Sequence, residues 1–447
     1  MILSRRLLLA GFFYNPQGNH RISWRHADAP TAEVYGLDYY ARLAREAEAA
    51  KLDFIFVADH LAVWTEAKSS LRHYANTRLE PITLLSALSA LTQEIGLVST
   101  ASSSYSEPYN LARQFASWDH ISGGRAAINV VTSAMASEAQ NYGHADVFRH
   151  ADRYRRADEF VRVLRDLWDS WEDDALLFDH ESGEIAAPAK VHELRHEGEF
   201  FRVRGPLNVP RPPQGHLPVF QAGSSEDGKN FVAEHVDVQF VSLRTIEEGL
   251  AYRADMDARL SARGRRPESL KILHGIQPVV AASQDEAREK FAALQALQPD
   301  RLSIDLLSTW SGLDLNGVDP DGPLPELPAA EGYKGVQTTL ERVRHHAQKG
   351  LSVIEIARLM SAGGEMHFVG GTPGQIADEI EAWFTSGAVD GFNLMFPHLP
   401  GDWSDFTRLV VPELQRRGLF QTEYGPGTFR DRLGLAPAEN RFRATAR

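Results

Sequence analysis

A chain of 447 residues with 43% hydrophobic and 24% charged side chains has ample material for a large buried core and no disordered or fibrous bias. Its net charge of −13 argues against a nucleic-acid partner, which would need a basic face. It has no cysteine, which excludes disulfides, thiolate metal sites and a cysteine nucleophile and makes the cytoplasm the expected compartment.

The N-terminal MILSRRLLLAGFF imitates a targeting signal, but its apolar run is short and Tyr14-Asn15-Pro16 follows where a small-residue cleavage site would stand. Leu7–Phe13 is read as the first strand, with an exit loop carrying Asn15, Gly18, His20, Trp24, Arg25 and His26. A helix follows over about 37–50, and strand two, Phe54–Ala58, ends in Asp59-His60. Glu80-Pro81 opens a helix to about Thr92, proline being favoured in the first turn. Strand three, Ile95–Thr100, runs into the hydroxyls Ser102-Ser103-Ser104-Tyr105, and a helix leads to Trp118-Asp119-His120. After Ser122-Gly-Gly-Arg125 comes Ala126–Val131, whose small and β-branched residues read as a buried strand interrupted by Asn129 and closed by Thr132-Ser133. A helix from about Asp152 to Trp168, led in by His150, places His150 and Tyr154 four residues apart on one face.

The rhythm breaks over about 172–216, read as an insertion. It resumes with strands Val219–Ala222, Val236–Val241 and Ile272–Val280, with helices between and after them. A second insertion, about 298–345, is rich in proline and glycine around Asp319–Pro328, so regular structure is not expected there and a lid is. A helix over about 373–385, strand eight at Asp390–Met395 and a helix near 406–416 complete the pattern, before a polar C-terminal extension at about 418–447. Eight strands alternating with helices imply an α/β fold, a (β/α)8 TIM barrel forming one domain over 1–447. No segment is long and apolar enough to span a membrane.

In such a barrel the catalytic face collects the residues after each strand. Here they are rich in hydroxyls and amides and poor in charge. His60, His120, His150 and His398 are scattered, so no metal is expected. Only Asp59 stands out as a carboxylate, short of the pair a glycosidase needs. Gly223-Ser224-Ser225 opens a helix, where free N–H groups and two hydroxyls converge on an anion or where serine simply caps the helix. A phosphate beside a polar heterocycle on an apolar barrel mouth describes a mononucleotide such as a flavin.

Longer motifs carry a resemblance. LAGFF with WRH, EPITLLSALSALTQEIGL, DHISGGRAAINVVTS, RYRRADEF, GPLNVPRPPQGHLPVFQAGSS, GTPGQIADEI and VVPELQRRGLF together make the chain similar to the bacterial luciferase-like flavin-dependent monooxygenases. The branch resembled is that of nitrilotriacetate monooxygenase component A and dibenzothiophene-sulfone monooxygenase. The resemblance implies FMN, used as FMNH2, held by Asp59, Thr100, Asn129, His150, Tyr154, Ser224 and Ser225, with the phosphate at Tyr154 and the Ser225 region. It implies O2, a small-molecule substrate, and insertion of one oxygen atom, often with C–N or C–S cleavage. His20 falls on the substrate side, and either His20 or His60 is the proton donor. Ile128 stands where many relatives carry tryptophan, and Trp310 near where some carry histidine. No Gly-x-Gly-x-x-Gly follows a predicted strand, so a separate NAD(P)H:flavin reductase is the expected partner; a homodimer or homotetramer is the expected assembly. The rivals are a deazaflavin-dependent oxidoreductase and a non-catalytic flavin-binding protein.

Overall fold

The computed structural model describes residues 5–64, 69–328, 337–361 and 366–443. Eight parallel strands close on themselves: β1 (Leu8–Phe13), β2 (Phe54–Val57), β3 (Gly96–Ser102), β4 (Ala126–Val131), β5 (Val219–Gln221), β6 (Val238–Val241), β7 (Lys271–Val280) and, after an accessory strand, β9 (Gly391–Leu394). β6 pairs with β7, β7 with β9, and β9 with β1, which completes the ring. These are the eight strands expected from the apolar runs, and the fold is the expected TIM barrel.

The accessory strand β8 (His367–Gly371) is an addition to that reading. β7 is ten residues long, and only its first part is used by the ring. Its far end, from Ile276 to Val280, pairs with β8. Ile276 pairs with both His367 and Leu394, so β8 and β9 lie on opposite sides of β7.

Alternation along each strand sorts its side chains between two cores. Leu8, Ala10 and Phe12 belong to the cluster inside the barrel with Phe54, Phe56, Val98, Ala127, Phe220, Val238 and Leu273. Leu7, Leu9 and Phe13 face the other way, into the larger core between the sheet and its helices. Those helices include α1 (Leu37–Ala49), α2 (Pro81–Ser89), α3 (Pro108–Ser122), α4 (His150–Trp168), α5 (Glu226–His235), α6 (Ile246–Ala262) and α7 (Gln284–Ala296). The C-terminal extension enters the inner cluster too: Phe429 packs on Phe54 and Phe220 at the N-terminal ends of the strands. A Cβ at Gly96 would lie 2.6 Å from the Phe429 ring, so β3 needs glycine there.

The segment around 298–345 corrects the expectation of irregular chain. It opens with α8 (Asp300–Ser311) and ends in α9 (Gln337–Gln348), followed by α10 (Val353–Ser361). Apart from Pro299, which precedes α8, its prolines and glycines fall between the two helices. Residues 300–311 have neither, and Leu302, Leu306 and Leu307 form a buried stripe at helical spacing. Residues 329–336 of the expected lid lie outside the described residues. α11 (Pro373–Ser386) begins as expected from GTPG, with Thr372 as N-cap and Pro373 in the first turn.

Candidate active site

The inward positions near the C-terminal ends of the strands turn from apolar to polar. Thr100 shares the parity of Val98, Asn129 that of Ala127, and Gln277 that of Leu273, so all three point into the barrel. Asn393, paired with Ala10, does the same. Asn129 Nδ2 donates to Thr100 Oγ1 at 3.0 Å, and the Thr100 hydroxyl donates to the Val57 carbonyl at 2.9 Å. Three buried amide oxygens there, Asn129 Oδ1, Gln277 Oε1 and Asn393 Oδ1, have no hydrogen-bond partner among the described residues. Interior amides almost always find one, so the set leaves three acceptors inside the barrel for a ligand or water. Phe12, Phe56 and Phe240 supply the apolar wall, with ring centroids 5.0 and 5.9 Å from Phe12.

Thr100 also joins Asp59 in lining a cavity of about 350 Å³ with Glu80, Ser102, Ser133, Glu138 and Tyr142. Asp59 Oδ1 accepts from the His60 backbone N–H at 2.8 Å. Burial pushes its carboxyl up to about 6, with Glu80 and Glu138 adding to the rise and Arg78 opposing it. His60 Nε2 shares a 2.5 Å hydrogen bond with the Tyr14 hydroxyl, and its Nδ1 lies 3.8 Å from Glu138 Oε1. Burial works against ionising Glu138, yet the nearby His60 ring and hydrogen bonds from the Leu61 and Met135 N–H groups hold its carboxyl below the usual range. Burial keeps the Tyr14 phenol protonated.

A third group sits at the end of β5, next to β4 in the ring. Ser225 is the N-cap of α5, its hydroxyl accepting from Gly228 N–H at 3.2 Å. The Tyr154 hydroxyl approaches so closely that a Cβ at Gly223 would lie 2.7 Å from it, and one at Gly228 3.1 Å. The His150 ring packs at a tilt on Tyr154, with centroids 5.1 Å apart, and its Nδ1 bonds to Asp227 Oδ2 at 2.8 Å. Tyr154 and Asp227 line a second cleft, of about 720 Å³, with His196 and Phe200 of the first insertion. Glu226 and Asp227 occupy the first turn of α5 and would oppose an anion there, but Arg259 pairs with the one and His150 with the other.

The structure therefore gathers Thr100 with Asn129, Asp59 with His60, and His150 with Tyr154 and Ser225. Ser224 is exposed beside Ser225. His20 stands apart: it is buried edge-on to Phe291 of α7, 5.9 Å away, and burial lowers it to about 4. Its Nδ1 is 3.3 Å from the Ile22 N–H, which donates to it, so the ring proton belongs on Nε2, a buried atom without a partner.

Several neighbours escaped the sequence reading. Arg153 is buried, its Nη1 donating to the Ser133 carbonyl at 3.1 Å. It lies on the face of α4 that carries Ala157, Phe160 and Leu164, so a cation inside an apolar stripe was the available signal. Tyr14, Trp64, Tyr74, Arg21 and Arg78 left no local signal. Among the described residues, no group of three or more His, Asp or Glu could hold a metal ion, and no helix is long and apolar enough to cross a membrane.

A parallel barrel with an amide-lined mouth and a capped helix at the end of its fifth strand defines a class that comparison makes specific. Residues 19–390 match the model of the luciferase-like monooxygenases, and the chain belongs to that family of enzymes. It is 44% identical to nitrilotriacetate monooxygenase component A of Aminobacter aminovorans, over 96% of this chain and 97% of the relative. Identity to N-acetyl-S-(2-succino)cysteine monooxygenase of Bacillus subtilis (strain 168) is 41%, covering 99% and 100% of the two chains. Among solved structures, a riboflavin lyase with modified FMN and substrate riboflavin superposes with a TM-score of 0.86 at 32% identity, covering 97% of each chain.

Proposed function

We propose that this chain is the oxygenase of a two-component system. It takes reduced FMN from a separate NAD(P)H:flavin reductase and uses O2 to oxygenate a small organic substrate, with cleavage of a C–N or C–S bond. The observation that carries the reading is the set of unpartnered amide oxygens inside the barrel, beside a capped helix that leaves room for a phosphate. The named substrates of the two relatives support the bond type: one holds its arms on nitrogen, the other on sulfur.

The residues fit the flavin. Asn129 Oδ1 is a buried acceptor with no donor among the described residues, suited to an N–H of the ring system. Glycine at 223 and 228 keeps the Tyr154 hydroxyl and the start of α5 open to a phosphate. Ser225 and Tyr154 hold that end, with Ser224 at its exposed edge and His150 positioning Tyr154. Thr100 fixes Asn129, and Asp59 borders the same mouth. Reduced flavin, when bound, supplies the electrons with which one atom of O2 enters the substrate and the other leaves as water. Proton delivery falls to His60 rather than His20, because His60 already shares a short hydrogen bond with a buried phenol beside Asp59. α8 excludes water by packing Leu302 and Leu306 on Tyr74 over the exit loops of β1 and β2.

The test is oxygen uptake and product formation with the purified chain, FMN, NADH and a generic flavin reductase, over aminopolycarboxylates, sulfones and alkylamines. Product that requires both reductase and oxygen is expected. Absence of saturable FMN binding, or product formed anaerobically with a deazaflavin, would refute it.

A further inference from the structure

The exit loop of β1 places a cation where the described chain gives it no counter-ion. Arg21 lies among three aromatic rings, its guanidinium carbon 4.8 Å from the Trp64 centroid, 5.1 Å from Tyr74 and 5.0 Å from Trp310. Its Nη1 is buried and has no hydrogen-bond partner among the described residues. No ion pair links Arg21 to an acid among the described residues. Ring faces attract a cation, but they accept no N–H in the plane of the fork. A guanidinium caged on its faces, with a buried N–H of its edge left unused, has a donor to offer a planar two-oxygen anion.

The cage is assembled from distant parts. Trp64 and Tyr74 come from the exit loop of β2, and Trp310 from α8. Trp64 is held by donation of its indole N–H to Met135 Sδ at 2.9 Å, and Tyr74 by donation to Asn15 Oδ1 at 3.0 Å. Asp305 of α8 accepts from Ser69 N–H at 2.9 Å, which ties the helix to the β2 loop. The β1 loop is fixed in turn by His20 N–H donating to the Pro397 carbonyl at 3.1 Å.

The cage also communicates with the barrel mouth. Tyr14 packs both against the inner barrel cluster and against the cluster of Tyr74, Leu302 and Leu306. A second guanidinium, Arg78, lies 5.2 Å over the Tyr14 ring and forms no ion pair among the described residues. Two arginines without an ion-pair partner among the described residues thus stand close together in a chain whose net charge is −13, Arg78 over Tyr14 and Arg21 over Tyr74. We infer that Arg21, in its Trp64–Tyr74–Trp310 cage, is the anchor for a carboxylate of the substrate, with Arg78 adding to the local field. This rests on the oxygenase reading above and narrows its substrate class to carboxylate-bearing molecules.

The experiment is calorimetric titration of the purified full chain with succinate, nitrilotriacetate and the neutral succinamide, beside a separate titration with FMN. The wild type is expected to bind at least one of the two carboxylates saturably and at least tenfold more tightly than succinamide. Arg21→Gln should lose at least tenfold in carboxylate affinity while FMN affinity stays within twofold. Arg21→Lys, which keeps the charge without the fork, should recover only part of the loss. Failure of the wild type to bind either carboxylate, or to prefer them over succinamide, overturns the inference without any variant having to fold. Unchanged carboxylate affinity in Arg21→Gln overturns it as well. Carboxylate binding by a chain that does not bind FMN supports the anchor and refutes the flavin reading instead.

Discussion

Replacing Asn129 by leucine separates a ligand-directed amide from a structural one. In the free protein Asn129 makes one side-chain hydrogen bond, donated to Thr100, and its Oδ1 is buried without a partner. Losing the bond costs about 1 kcal/mol, and removing an unsatisfied buried carbonyl returns roughly 1–3 kcal/mol. Thr100 keeps its own bond to the Val57 carbonyl, so no donor is orphaned, and leucine repeats the branched skeleton of the amide with bulkier ends. The flavin-free variant should therefore be as stable as the wild type, or more stable by up to about 2 kcal/mol, a thermal midpoint unchanged or raised by a few degrees. FMN binding should move the other way and weaken by about 1–2 kcal/mol, roughly 5- to 30-fold, because the heterocycle loses a buried acceptor. Thermal unfolding without flavin and a fluorescence titration with FMN measure the two quantities on the same sample. A lower midpoint with unchanged FMN affinity would refute the reasoning, since it would make Asn129 a core amide that serves the barrel alone.

Other consequences follow from the same geometry. Burial holds Asp59 near 6, above the value of about 3.9 expected in the unfolded chain, so the folded protein takes up its proton first. The stabilising effect of that proton is complete below the unfolded value and is lost as pH rises through 6. Asp59→Asn should accordingly gain stability over the wild type between pH 4 and 7, by about 2–3 kcal/mol, and a pH-independent difference would contradict the assignment. Ser225→Ala removes the cap of α5 and should weaken FMN binding by about 0.5–2 kcal/mol; unchanged affinity in both this variant and Tyr154→Phe would move the phosphate elsewhere. Limited proteolysis should cut first between Asp314 and Pro328, where few backbone hydrogen bonds hold the chain, and flavin with substrate should slow the cut; a first cut inside 218–241 would conflict with a closed barrel. Anaerobic stopped-flow mixing of the chain with FMN and NADH should leave the flavin oxidised, and rapid bleaching would sink the requirement for a reductase.

What the chain announces locally, the structure reproduces. Eight apolar runs became the eight ring strands because the alternation that buries a strand is written within a few residues of itself. Ser225 and Thr372 are caps, as their positions before Gly228 and Gln375 require, since a capping bond spans only three residues. Asn129 and Thr100 could be picked out for the same reason: each sits at the polar end of an apolar strand. Other features depend on which distant segments meet. β8 exists because the far end of β7 overshoots the ring and needs a partner, a need visible only once β6 and β9 have taken its first half. The tail reads as polar and turn-rich, yet Phe429 fills the bottom of the barrel, where the ring of strands leaves an apolar opening that no local pattern records. The Arg21 cage joins residues 21, 64, 74 and 310, and nothing near any one of them signals the other three. A period or a cap is a property of contiguous backbone, whereas a cage, a plug or an added strand is set by strand register and loop closure, which bring together residues hundreds of positions apart.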